Sequence, residues 1–148
     1  MAESKKRLGV DDIDAGDVWE RLAAEPSAVL IDVRTQAEWV NIGVPNLAAI
    51  GKQLLMVEWM SLPDKQLNPL FADQLESALE SIEAGRDAEL YFICRSGIRS
   101  LAAAQVMVNA GYRACYNVAS GFEGPGEGDK QSGKPAGWVA SGLPWVRG

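Results

Sequence analysis

Three short runs of nearly continuous apolar residues divide the chain, and each predicts a buried strand. They cover positions 28–33, 89–94 and 114–118. A half-exposed antiparallel strand would alternate apolar and polar residues, whereas continuous apolarity is typical of parallel strands that are covered on both faces. The pattern therefore predicts a sheet whose strands are mainly parallel and buried.

Helical patterns lie between these runs. Asp14 or Asp17 is placed to cap a first helix that continues through Trp19 and Leu22. Positions 35–38 read Thr-Gln-Ala-Glu, which is the sequence of a capping box and predicts a short second helix.

Two longer helices are predicted further along the chain. Asn68 and Pro69 have the form of an N-cap followed by proline at the first helical position. An apolar stripe then follows, made of Leu70, Phe71, Leu75, Leu79 and Ile82. The alanine-rich segment 99–110 predicts a further helix that stops before Gly111. Strands that alternate with helices predict an α/β fold with a mostly parallel sheet.

Two segments carry no clear pattern. Positions 52–60 fit a strand or a helix equally well. Positions 121–137 are rich in glycine and proline, which predicts an exposed loop or insertion. We therefore expect a flexible N-terminus over residues 1–9 and one domain over residues 10–148, with a glycine-rich insertion at about 124–137.

Length and charge narrow the class of protein. A chain of 148 residues with 47% hydrophobic residues fits one soluble globular domain. The net charge of -6 argues against nucleic acid as a general partner, because an acidic surface repels phosphate. The charged first residues and the absence of a long apolar run lead us to expect a cytoplasmic location and no membrane partner.

The residue types that are missing narrow the chemistry. The sequence contains no histidine, which excludes Ser-His-Asp triads, Cys-His dyads and histidine-ligated metal sites. The two cysteines, Cys94 and Cys115, have the spacing of neither a zinc knuckle nor a CxxC redox pair. We therefore expect no metal and no other cofactor.

The strongest chemical signal lies where the second predicted strand ends, at Cys94. In a parallel sheet the carboxyl ends of the strands bind ligands, and a tight loop there turns backbone N–H groups toward an anion beside a helix N-terminus. Arg95 and Arg99 add two positive charges. All these groups favour thiolate over thiol, so Cys94 is a candidate nucleophile that needs no histidine base.

The residues around Cys94 divide into a candidate cradle and a candidate entrance. The cradle that would bind substrate consists of Arg95, Ser96, Gly97, Ile98, Arg99 and Ser100. Asp32 and Arg34 lie at the carboxyl end of the first predicted strand. They could either stabilise the turn that follows or form an entrance that steers an anionic donor. Purely structural roles are open as well: Cys94 as a small buried hydrophobe, Arg99 as a solvent-facing helix charge. Cys115 is expected to be a core thiol.

Two segments closely resemble the single-domain rhodanese (sulfurtransferase) family: LIDVRTQAEW at 30–39 and CRSGIRS at 94–100. Similarity continues in 116–122 and in Gly-Leu-Pro-Trp at 142–145, so it covers about 10–145. The resemblance implies an α/β fold around a five-stranded, mainly parallel sheet flanked by helices. It also implies that Cys94 cycles between thiolate and persulfide, with the transferred sulfur held by backbone amides of the loop 94–99.

The resemblance implies a sulfurtransferase, and two other functions stay open. The enzyme would move sulfane sulfur from a small thiosulfate-like or persulfide donor to a thiol, a cyanide-like acceptor or a protein acceptor. Cysteine phosphatases and arsenate reductases use a similar strand, loop and helix, although here the loop from Cys94 to Arg99 is one residue shorter than the phosphatase pattern. A non-enzymatic sulfur carrier or regulatory module would keep the same loop.

Overall fold

The computed structural model describes residues 9–124 and 137–147, and within them a five-stranded sheet forms the centre of the fold. In chain order the elements are β1 (Asp11–Ile13), α1 (Ala15–Ala24), β2 (Val29–Asp32), α2 (Gln36–Asn41), β3 (Val44–Pro45), a 3-10 turn (Ala48–Ile50), β4 (Leu55–Met56), α3 (Phe71–Ser81), β5 (Glu89–Ile93), α4 (Ile98–Asn109), β6 (Ala114–Val118) and β7 (Trp145–Val146).

All five strands of the central sheet run parallel, in the order β1-β6-β5-β2-β4. The three strands predicted from the apolar runs are confirmed as β2, β5 and β6, which lie side by side, with Ile31 paired to Phe92 and Phe92 paired to Asn117. A separate antiparallel pair joins β3 to β7. The predicted α/β class with a mainly parallel five-stranded sheet is confirmed.

Helices cover both faces of the sheet, which explains the continuous apolarity of the strands. Val29 and Ile31 point into an apolar cluster that includes residues of α3 and α4. Leu30, between them in the sequence, points into a second cluster that includes α1. Since successive strand residues face opposite sides, a strand between two helical layers must be apolar at every position.

Two of the local sequence signals for helix ends are confirmed, and a third is wrong. Thr35 and Glu38 form the predicted capping box, and α4 ends at Asn109, with Gly111 two residues later at φ 101°. The start predicted at Asn68 is wrong by two residues, because α3 begins at Phe71. The side chain of Asn68 instead accepts from the backbone N–H of Leu70 and donates to a carbonyl outside the helix.

The two segments without a pattern also have defined structures. Residues 52–60 contain the short edge strand β4, and Met60 then forms a single bridge with Leu67. The prediction of an exposed loop over 121–137 is wrong for the two ends that the structure describes, because Gly121, Phe122, Gly124 and Gly137 are buried. Residues 1–8 of the expected flexible N-terminus (1–9) and residues 125–136 of the expected insertion (124–137) lie outside the described residues. Within the described part, no helix is long and apolar enough to cross a membrane.

Candidate active site

Cys94 lies at the carboxyl edge of the sheet, in the loop between β5 and α4. The strand ends at Ile93 and the helix begins at Ile98, so residues 94–97 alone make the turn. Gly97, the N-cap of α4, has φ 104°, which non-glycine residues rarely adopt. This conformation lets the chain turn back over the sulfur of Cys94, whose residue is only 1% exposed.

Two donors converge on the Cys94 sulfur. The backbone N–H of Gly97 lies 3.1 Å from Sγ, and the hydroxyl of Ser100 lies 3.2 Å from it. Ser100 is in the first turn of α4 and is fully buried. An amide, a hydroxyl and the positive end of a twelve-residue helix all favour negative charge on this sulfur or on an atom bound to it.

A buried polar chain fixes the position of Ser100. Its hydroxyl lies 2.5 Å from Oδ1 of Asn117, and Nδ2 of Asn117 donates to Asp12 Oδ1 and to the Gly97 carbonyl, both at 3.0 Å. Because a hydroxyl carries one proton, Ser100 donates either to Asn117 or to the sulfur at any moment. The sequence alone did not predict the roles of Asn117 and Asp12. The one signal for Asn117 was its amide side chain within the apolar run 114–118.

Arg99 does not face solvent but forms a two-pronged ion pair with Glu38. The two nitrogen–oxygen distances are 2.8 and 2.9 Å, and the side chains are 14% and 15% exposed. Burial alone would raise the pKa of Glu38, but the hydrogen bonds from Arg99 and Thr35 outweigh it and lower this pKa to about 2. The same bonds, which Arg99 donates to Glu38, raise the pKa of Arg99, although burial opposes them.

Arg95 has an exposed side chain, which pairs with Glu123 at 3.4 Å from Nε to Oε1. Its backbone is held more firmly: the carbonyls of Cys94 and Arg95 accept the N–H groups of Phe122 and Glu123 at 2.8 and 3.0 Å. Gly121 permits this contact, since a Cβ there would lie 2.5 Å from both carbonyl oxygens. The segment 121–123 thus braces the Cys94 loop from outside.

Asp32 and Arg34 do not form an entrance, because both are fully buried. Arg34 donates to both carboxylate oxygens of Asp32 and to the carbonyl of Gly43, at 2.7–3.2 Å. Its guanidinium also lies 4.3 Å from the centre of the Phe122 ring. The structure therefore supports the bracing role. The pair contacts Phe122, whose backbone N–H donates to the carbonyl of Cys94.

The remaining cradle residues line a shallow cleft of about 280 Å³. Ser96, Gly97 and Ile98 line it together with Asp12 and Asn117. Ile98, the first residue of α4, is 78% exposed, so it presents an apolar side chain to solvent. A larger cleft of about 640 Å³ lies at the opposite, amino-terminal edge of the strands, away from Cys94.

Cys115 is the core thiol that the sequence predicted. It is 3% exposed, and burial raises the pKa of its thiol to about 12. It therefore stays protonated at neutral pH. Within the described residues, no cluster of three or more His, Cys, Asp or Glu residues is arranged to hold a metal ion.

Known proteins share the fold of this chain. The chain is similar to the crystal structure of Rv0390 from M. tuberculosis, with 40% identity, a TM-score of 0.76 and coverage of 93% of this chain and 97% of that one. It is 37% identical to an uncharacterized protein of Rickettsia rickettsii, over 93% of this chain and 98% of the relative.

More distant relatives carry functional names. A sulfurtransferase of Allochromatium vinosum is 23% identical over 93% of this chain and 95% of its own length. The chloroplastic rhodanese-like domain-containing protein 4 of Arabidopsis thaliana is 26% identical over 99% of this chain but only 27% of its own length. The family model described as the STR4 middle domain matches residues 10–148. The chain therefore belongs to the STR4 middle-domain family and has a rhodanese-like fold.

Proposed function

We propose that the protein is a sulfurtransferase that carries sulfane sulfur on Cys94 as a persulfide. The observation that supports this most directly is the pair of donors, Gly97 N–H and Ser100 O–H, that converge on one buried sulfur. They would stabilise the thiolate before transfer and hold the same sulfur, now the inner sulfur of the persulfide, after it. Names among the distant relatives, including a sulfurtransferase, agree with this proposal.

The reaction consists of two displacements at sulfur. The Cys94 thiolate attacks the outer sulfur of the donor, a new S–S bond forms, and the bond between that sulfur and the rest of the donor breaks. The leaving group departs with the bonding electron pair. A nucleophilic acceptor then attacks the outer sulfur of the Cys94 persulfide, takes it and regenerates the thiolate. No net oxidant or reductant is consumed.

The amides of residues 95–99 would enclose the outer sulfur in this proposal, while the side chains have separate tasks. Arg99 would fix the start of α4 through Glu38, and Ser100 would donate to the inner sulfur. Arg95 would act through its backbone, because its side chain is exposed. Ser96 and Ile98 would form the wall met by donor and acceptor.

The decisive test is the intact mass of protein incubated with a sulfur donor. We expect a gain of one sulfur atom in the wild type and in Cys115→Ser, and no gain in Cys94→Ser. A thiol reductant or cyanide should remove the added mass, which distinguishes a persulfide from sulfinic or sulfonic acid. Hydrolysis of an aryl phosphate without any sulfur adduct would contradict the proposal and favour a cysteine phosphatase. Stoichiometric loading without turnover by any acceptor would favour a sulfur carrier.

A further inference from the structure

The charges around Cys94 are balanced in a way that the sequence does not reveal. Three arginines stand near the loop or its brace, and each is paired with a carboxylate: Arg34 with Asp32, Arg95 with Glu123, and Arg99 with Glu38. Two of these pairs are buried or nearly so, with side-chain exposures of 15% or less. None of the three guanidinium groups offers an uncompensated charge to a substrate.

The donor determines how much negative charge the site must accommodate. With thiosulfate, a Cys94 thiolate and a dianion meet, so the transition state carries three negative charges, and sulfite leaves as a dianion. With a hydropersulfide, R–S–SH, it carries one: Cys94–S⁻ plus R–S–SH gives Cys94–S–SH plus R–S⁻. Unit charges repel strongly in a partly dehydrated site, and a triply charged transition state therefore needs free cations.

We propose, on the basis of the sulfurtransferase function above, that the sulfur donor is an organic hydropersulfide and that Glu38 and Glu123 are specificity-determining residues that disfavour thiosulfate. The neutralised arginines leave little attraction for a dianion. The exposed side chain of Ile98, the first residue of α4, gives the organic group R an apolar contact that thiosulfate cannot use. Both observations favour the same class of donor.

The carboxylates of Glu38 and Glu123 differ in how strongly they neutralise their arginines. Glu38 holds Arg99 through two short bonds in a nearly buried setting, so removing its charge would leave the guanidinium cationic and uncompensated within electrostatic reach of Cys94. Glu123 holds Arg95 through one longer contact at the surface, where water screens the pair. The effect of neutralising Glu38 should therefore exceed that of neutralising Glu123.

The experiment compares Glu38→Gln, Glu123→Gln and wild type with thiosulfate and with cysteine hydropersulfide, by following the mass of the Cys94 adduct over time at low ionic strength. Hydropersulfides are the more reactive donors in themselves, so the diagnostic quantity is the ratio of the two loading rate constants. We expect Glu38→Gln to shift that ratio toward thiosulfate by about tenfold. Glu123→Gln should shift it by about twofold.

Glu76→Gln is the matched control, because Glu76 pairs with Arg86 at 3.3 Å in another part of the fold. We expect it to leave the ratio unchanged. In Glu38→Gln, the glutamine side chain can still form the capping box with Thr35. Glu123→Gln changes a side chain at the surface, so at least one of the two variants should remain folded. Equal changes with both donors, or a shift away from thiosulfate, would overturn the specificity role. Absence of an adduct from either donor in the wild type would overturn the sulfurtransferase function instead.

Discussion

The two cysteines of this protein have nearly the same burial but different surroundings. Cys94 is 1% exposed and Cys115 is 3% exposed, and both border the apolar cluster beneath α3 and α4. The Cys94 sulfur is within hydrogen-bond distance of an amide and a hydroxyl at the first turn of a helix. Among the described residues, the Cys115 sulfur has one hydrogen bond, which it donates to the carbonyl of Tyr112 over a long distance of 3.9 Å. We therefore expect the donors that accompany burial, and not burial alone, to decide whether a thiol is inert.

The largest expected effect is selective alkylation of the native protein. A pKa of about 12 leaves about one Cys115 in 10⁴ as thiolate at pH 8, which makes this thiol essentially unreactive. We expect iodoacetamide to modify one cysteine in native protein and two after denaturation, as counted by intact mass. Cys115→Ser should still take one label in the native state, and Cys94→Ser should take none. Native labelling at Cys115 would remove the contrast between the two sites.

The second prediction concerns the brace that holds the Cys94 loop in place. In Gly121→Ala, the new Cβ would lie 2.5 Å from the carbonyl oxygens of Cys94 and Arg95, which are backbone atoms that cannot simply move aside. We expect a loss of about 2–4 kcal/mol in the free energy of unfolding and a marked fall in Cys94 labelling.

Gly51→Ala is the control for this substitution. Gly51 has φ 66°, close to the φ 60° of Gly121, but no heavy atom lies within 4 Å of its Cβ position. Gly51→Ala should lower the free energy of unfolding by about 1 kcal/mol, because alanine disfavours a positive φ, and it should leave Cys94 labelling unchanged. If the two variants were equally destabilised in urea titrations, the close approach of 121–123 to the loop would not matter.

The third prediction tests the hydroxyl donor. Ser100→Ala removes the hydroxyl whose single proton serves either the Cys94 sulfur or Asn117 Oδ1. A hydrogen bond to a charged group contributes about 1.5–3 kcal/mol, so Cys94 alkylation at neutral pH should slow by about tenfold or more. Ser81→Ala removes an exposed hydroxyl that donates to the carbonyl of Ala78, and it should change nothing. Equal rates in the two variants would mean that Ser100 only packs.

The sequence predicted the features that depend on neighbouring residues. The capping box of Thr35 and Glu38 spans four positions, and the buried strands follow from continuous apolarity. The paired state of Arg99 was not predictable, because its partner Glu38 lies 61 positions away and meets it only after α2 and α4 pack at the same edge. The start of α3 was misplaced for a related reason. Asn68 uses its amide for a tertiary contact with Glu58.

The smallest expected effect is a change in acid stability caused by Glu38. The ordinary pKa of a glutamate is 4.5, and in the folded protein that of Glu38 is lowered to about 2. A carboxylate with a lowered pKa stabilises the fold fully above its unfolded pKa, and this contribution is lost as the pH falls from about 4.5 toward 2. Wild type and Glu38→Gln should therefore differ in unfolding free energy by about 1–2 kcal/mol at pH 6, and the difference should shrink below pH 4.

Urea titrations from pH 6 to pH 2.5 would measure this convergence. Glu76→Gln serves again as the control, because the Arg86 side chain of that pair is 56% exposed and its ion pair is screened by water. Its curve should run parallel to that of the wild type over the whole range. A difference between wild type and Glu38→Gln that stays constant down to pH 2.5 would show that Glu38 acts through packing and the capping box. The attraction between Glu38 and Arg99 would then contribute nothing to stability. The charge balance proposed around Cys94 would lose its best-defined ion pair.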